Sequence, residues 1–325
     1  MAGFEPALSA RQGAILPLDG TLQIYRDLRL QAMSGAWYRN KPITKENARV
    51  FNPANRCIYC KDGKPPFTRE HVIPRGLGGG IIYPKASCEK CRQTIHEVET
   101  YCMRGPFLSH RLELGLVNDL ADLGDVVKMP IRVDGKRGEK SFSLNDLPNW
   151  LVLPQFHSPP GLLSGRNDGT GQFSFTLWGD QRSLDEHGSV EASDVLAEGF
   201  DLPKFARAIA KIAHGFVAGE YGLDNFEPWL PPLILGEDVR LGDILIGDWG
   251  EDGMARGNVL HQIGVSFLEH DATDQYEKFV RVDVRLRLFA RYEKTPVYWI
   301  IAGVLTKPID EVLAPHGQRS VPPNA

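Results

Sequence analysis

Hydrophobic and polar residues alternate most regularly between Phe279 and Leu288. Val280, Val282, Val284, Leu286 and Leu288 fall on one side, and Arg281, Asp283, Arg285 and Arg287 on the other. A period of two is that of a β-strand, so a strand with one apolar and one polar face is expected. Its arginines would face nucleic acid or pair with acids elsewhere. Val297 to Leu305 is almost wholly apolar and reads as the buried neighbouring strand, reached through Glu293-Lys294-Thr295-Pro296. Phe173 to Trp178 alternates enough for a further strand. A helical rhythm from Leu202 to Tyr221 places Phe205, Ile209, Ile212, Phe216 and Val217 on one face, with Asp201 as N-cap and Pro203 in the first turn. Arg207, Lys211 and His214 recur along this helix at i, i+4 and i+7. They are read as its solvated face in preference to a basic stripe for DNA. A weaker helical rhythm covers Thr21 to Met33, and Leu230 to Leu235 and Ile244 to Ile246 are short apolar runs.

Between Asn55 and Gly115 the pattern is tighter. Phe67 to Ile73 suits a strand, and Arg75 to Gly80 is a glycine-rich loop. From Cys91 onward Ile95, Val98 and Cys102 recur at helical steps. The predicted order is strand, loop, strand, helix. Two cysteine pairs bracket this segment, Cys57 with Cys60 and Cys88 with Cys91, each separated by two residues. Two such pairs are the ligand set of a closed structural zinc site. Cys102 has no companion at ligand spacing and reads as a small buried residue.

Composition bounds the rest. With 325 residues, 42% hydrophobic and 24% charged, the chain is expected to be globular and to hold more than one domain. The divisions are 1–54 as an N-terminal extension, 55–115 as a zinc module and 116–325 as an α+β domain of unknown role. No run has the length of a membrane span and no secretory signal is visible, so a cytoplasmic protein without membrane association is expected. There, paired cysteines are metal ligands more often than disulfides. The net charge of −4 conceals an asymmetry. Arg39 to Arg111 holds 14 Lys and Arg against 6 Asp and Glu, a balance of +8, which leaves −12 for the remainder. A basic segment fits a phosphate-rich partner. Arg75, Lys85, Lys90, Arg92 and Arg104 are candidate phosphate contacts.

The order Cys57-x2-Cys60, Glu70-His71-Val72-Ile73-Pro74, Leu77-Gly78-Gly79, Cys88-x2-Cys91 resembles the HNH endonucleases of the ββα-metal class. More narrowly, it resembles the branch in which Glu-His-x-x-Pro is followed by Leu-Gly-Gly. The motif covers about 45 residues. The resemblance implies a treble-clef-like ββα-metal module; with the strand and helix patterns above, the chain reads as α+β, the module preceding a larger mixed domain with an antiparallel sheet. The resemblance also implies a metal-dependent endonuclease acting on DNA, with RNA left open as a substrate. His71 would be the general base that activates water, and Glu70 a ligand of a catalytic Mg²⁺ or Mn²⁺. The four cysteines would hold a separate structural Zn²⁺. One module would nick; a homodimer would cut both strands. Lys211-Ile212-Ala213-His214 and Gly222-Leu223-Asp224 also resemble stretches found downstream of such modules, and name no activity.

Two departures matter. The residue after the last cysteine, an Asn or His in the class, is Arg92, and no Asn occurs between Asn55 and Asn118. His96 or Glu99, one and two helical turns further on, are candidates for the missing ligand. Arg92 would otherwise clamp the phosphate. The third option is a degenerate site, which makes the chain a non-catalytic zinc-dependent nucleic-acid binder. A further possibility is that the acidic C-terminal part gates the nuclease by binding a ligand or partner.

Overall fold

The strand expected at Phe279–Leu288 forms over those residues, and Val297–Leu305 is its antiparallel neighbour. A computed structural model of the chain describes residues 37–40, 49–60, 63–117, 126–133, 136–143, 150–166, 173–179, 200–249, 259–271, 278–292 and 295–314. The expected Thr21–Met33 helix lies outside them. In chain order the strands are β1 (Trp37–Asn40), β2 (Arg49–Val50), β3 (Thr68–His71), β4 (Ile81–Ser87), β5 (Val126–Val133), β6 (Lys136–Ser143), β7 (Trp150–Phe156), β8 (Phe173–Gly179), β9 (Phe226–Pro228), β10 (Ile246–Asp248), β11 (His261–His270), β12 (Phe279–Leu288) and β13 (Val297–Leu305). The helices are α1 (Glu89–Arg104), α2 (Leu108–Glu113), α3 (Gly161–Ser164), α4 (Leu202–Tyr221), α5 (Pro231–Leu235), α6 (Leu241–Leu245) and α7 (Ile309–Leu313).

The chain is mixed α+β. Its largest sheet runs β1-β11-β12-β13-β10, with β9 also on β13, and every pairing is antiparallel. A smaller sheet, β2-β4-β3, carries the cysteine segment, and β5–β6 and β7–β8 are separate pairs. β3, a glycine turn, β4 and α1 follow in the order the sequence predicts, and α1 buries Cys91, Ile95, Val98 and Cys102.

Both faces of β12 are buried. Arg281, Asp283, Arg285 and Arg287 are each at most 3% exposed, so the polar side does not face a nucleic acid. It is an internal network, as buried charges require. Arg281 forks onto Asp283 at 2.7 and 2.9 Å, and Trp299 donates its indole N–H to the same carboxylate at 2.7 Å. Arg285 bonds Ser266 and lies over the Trp249 ring, and Arg287 bonds Thr295.

Helix α4 starts as expected, with the Asp201 side chain accepting from the Lys204 N–H at 2.9 Å. The solvated face expected for it is absent. Lys211 is 1% exposed and His214 0%, while Arg207 donates to the Ile234 carbonyl. A helix covered on nearly all sides is a core element. α4 packs against α1 and against β12 and β13. One hydrophobic cluster runs from Phe51 and the cysteine segment through α4 to Val312. Tyr83 of β4 donates to the Ala218 carbonyl at 3.2 Å, and Arg49 of β2 forms an ion pair with Glu220. Among the described residues no helix is long and apolar enough to cross a membrane.

Candidate functional site

The four cysteine sulfurs converge. Cys88 caps the N-terminus of α1, Cys91 lies in the first turn, and Ile58 anchors the Cys57–Cys60 knuckle by donating to the Ala86 carbonyl at 2.8 Å. All four sulfurs lie within 4.8 Å of one another, with Cys60 and Cys88 3.7 Å apart. A tetrahedral zinc with Zn–S bonds of about 2.3 Å needs edges of about 3.8 Å, so a zinc ion fits this donor set. The neighbouring thiols favour thiolate at Cys57 and disfavour it at Cys91, whose pKa they raise. A hydrogen bond from Cys91 pushes the Cys57 thiol down to about 4, while burial pushes Cys60 up to about 11.

β3 lies beside this cluster. Successive side chains of a strand point to opposite faces, and adjacent Glu70 and His71 are separated in this way. Glu70 turns into the core and is 6% exposed. It meets Lys211 of α4, whose Nζ lies 2.6 Å from Glu70 Oε1. Glu99 of α1 reaches the same ammonium at 2.7 Å. That contact is an ion pair by distance, since Glu99 Oε1 makes no directed hydrogen bond. Lys211 also donates to the backbone carbonyls of His71 and Val72, the latter at 3.2 Å. Burial alone would depress the Lys211 pKa, but Glu70 and Glu99 outweigh it and raise it, so the ammonium stays charged.

His71 is half-buried. Its pKa is lowered, first by burial and then by the charges of Lys211, Arg69 and Arg75, which holds the ring neutral. Its Nδ1 is buried and has no hydrogen-bond partner among the described residues. The turn after it is tightly closed. Gly78 has φ +77°, and a Cβ on Gly79 would sit 1.9 Å from the Ile73 carbonyl oxygen. Two histidines from distant segments grip this module through its backbone. His214 Nε2 lies 2.7 Å from the Ile58 carbonyl oxygen, and His261 Nε2 lies 2.6 Å from that of Leu77.

The other predicted residues sit on the surface. Arg75, Lys85, Lys90, Arg92 and Arg104 are exposed. Arg92 is engaged by Glu89 through two contacts of 2.8 and 2.6 Å. His96 is exposed and 3.5 Å from the Thr100 hydroxyl. The fold therefore brings Glu70, Glu99 and the His71 backbone together, while Arg92 and His96 find local partners on α1. A Mg²⁺ or Mn²⁺ does not fit the donor set as it stands, because both carboxylates already share an ammonium. Sequence reasoning missed Lys211, His214 and His261 as site residues. For the first two a partial signal was present: apart from one another and Arg207, their helical neighbours are apolar or small, Ala208, Ala210, Ile212, Gly215, Val217 and Ala218. No family model, curated protein or solved structure matches the chain significantly.

Proposed function

We propose that the chain is an endonuclease that hydrolyses phosphodiester bonds in nucleic acid, DNA first, with His71 as the general base. The observation that carries this reading is the state of His71. It is a neutral imidazole whose Nδ1 lacks a partner among the described residues, near enough to the exposed Arg69 and Arg75 to feel both charges. A buried polar atom without a partner calls for a water or a substrate group. A neutral imidazole near pH 7 is suited to take a proton from water, a step worth about 10²–10⁴ in rate. Arg69 and Arg75 offer guanidinium groups to the phosphate, where charge-assisted bonds are strongest. Zinc on Cys57, Cys60, Cys88 and Cys91 would stiffen the frame that aims the ring. Glu70 supports His71 through Lys211, and no step is assigned to a divalent ion.

One observation favours a second reading. Lys211 occupies both Glu70 and Glu99, and Glu89 engages Arg92, as expected of a zinc-dependent nucleic-acid binder that does not cut. Supercoiled plasmid, incubated with zinc-loaded protein in Mg²⁺, Mn²⁺ or EDTA, separates the two. Nicking that disappears in His71→Ala, with zinc content unchanged, supports the nuclease. A protein that retards DNA in a gel yet leaves it covalently closed in every condition is the binder.

A further inference from the structure

Three separate elements meet at one nitrogen. β3 brings Glu70, α1 brings Glu99 and α4 brings Lys211, with the carboxylate oxygens 2.6 and 2.7 Å from Nζ. The carbonyl oxygens of His71 and Val72 complete its surroundings. Four oxygens and no other heteroatom type are what a hard cation selects. Here the cation is covalently part of the chain. An ammonium has three N–H groups, and these are matched by more acceptors than they can serve.

The geometry points to Lys211 as the permanent cation of the Glu70–Glu99 seat, so that this seat takes no divalent ion. A doubly charged ion entering beside the ammonium would meet a like charge. Magnesium also keeps several of its waters and demands near-octahedral space. The side chains of Lys211 and Glu70 are only 1% and 8% exposed and that of Glu99 17%, which leaves little room for an ion with its hydration shell. Lys211 cannot swing out to make room, because it lies on the buried face of a core helix with Ala208, Ile212 and Gly215 on its flanks. Its role is positioning: it ties the end of β3, through the carboxylate of Glu70 and the carbonyl of His71, to α4. The inference stands on packing and charge alone and does not depend on the nuclease reading.

Manganese titration followed by electron paramagnetic resonance, on the zinc-loaded full chain, tests it without any activity measurement. Wild type and Glu70→Gln are expected to take up Mn²⁺ identically. A wild-type site that Glu70→Gln removes would overturn the proposal. Lys211→Ala is expected to gain one Mn²⁺ site, on the order of tenfold tighter or more than any background binding, and Lys211→Ala with Glu70→Gln to lose it again. A folded Lys211→Ala that gains no site refutes the idea of a cation seat. Should Lys211→Ala fail to fold, the comparison of wild type with Glu70→Gln still decides. Loss of plasmid nicking with unchanged Mn²⁺ uptake would count against the nuclease and leave this inference standing.

Discussion

Mild acid acts on the joint between the glycine turn and the large sheet. His261 opens β11 and is fully buried. Its Nδ1 accepts the Phe289 backbone N–H at 3.2 Å, so Nε2 carries the proton and donates to the Leu77 carbonyl at 2.6 Å. Both nitrogens are in use, and a second proton would set N–H against N–H. Burial, with a smaller contribution from His110, pushes the pKa down to about 4 from an ordinary 6.5. Above pH 6.5 neither folded nor unfolded chain binds the proton at this residue. Below it the unfolded chain does and the folded one does not, so stability falls by about 1.4 kcal/mol per pH unit. The loss levels off near pH 4 at about 3 kcal/mol. By pH 5 it is about 2 kcal/mol. His261→Gln keeps an N–H for Leu77 and cannot titrate. Urea unfolding of zinc-saturated wild type and His261→Gln at pH 7, 6.5, 5.5 and 5 isolates the residue. Other depressed histidines, such as His214 at about 4, contribute to both proteins and cancel. Wild type should lose about 1.6 kcal/mol more than the variant between pH 6.5 and 5. Equal losses would refute the assigned tautomer and the role of burial.

Two other perturbations test the frame around His71. Cys88→Ser should drop zinc from one ion per chain, measured by elemental analysis, and unfold the β2-β4-β3 sheet with α1; structural zinc supplies on the order of 10 kcal/mol in small domains. Gly79→Ala forces a methyl to within 1.9 Å of the Ile73 carbonyl oxygen, a backbone atom that cannot turn aside, and should cost about 2–3 kcal/mol in urea unfolding.

The legible parts of this fold are those whose causes are local. Helix α4 announces itself through its 3.6-residue rhythm and a cap formed within four residues, and β12 through nine residues of strict alternation, Val280 to Leu288. The convergence of the cysteines is written in their spacing, because two intervening residues place both sulfurs within reach of one metal. What local pattern cannot state is what lies beyond a face. Alternation in β12 separates two sides but leaves the polar side free to be solvated or covered. The clue is internal: Arg281 and Asp283 are two apart, therefore on one face, and can satisfy each other there. Lys211 needs carboxylates 141 and 112 residues away in sequence, and no helical period carries that information. A lysine with Ala208, Ala210 and Ile212 about it shares its stripe only with Arg207 and His214, and such a narrow polar stripe on an apolar helix fits a buried charge in search of carboxylates.

The Glu70-His71 dipeptide shows where the charge that balances Glu70 comes from. In a strand, neighbours must part company. If His71 is to reach the surface, Glu70 is delivered to the interior, whatever chemistry the pair might perform in common. An interior carboxylate without a cation costs several kcal/mol, so the fold must supply one from whichever element covers that side. That element is α4, and the residue at the contact is Lys211. Glu99, one turn past Ile95 on the buried side of α1, falls on the same ammonium because α1 and α4 pack together. The position of His71 at the rim is therefore a consequence of an ion pair beneath it, and α4, far along the chain from the cysteines, belongs to the architecture of the site as much as the thiolates do.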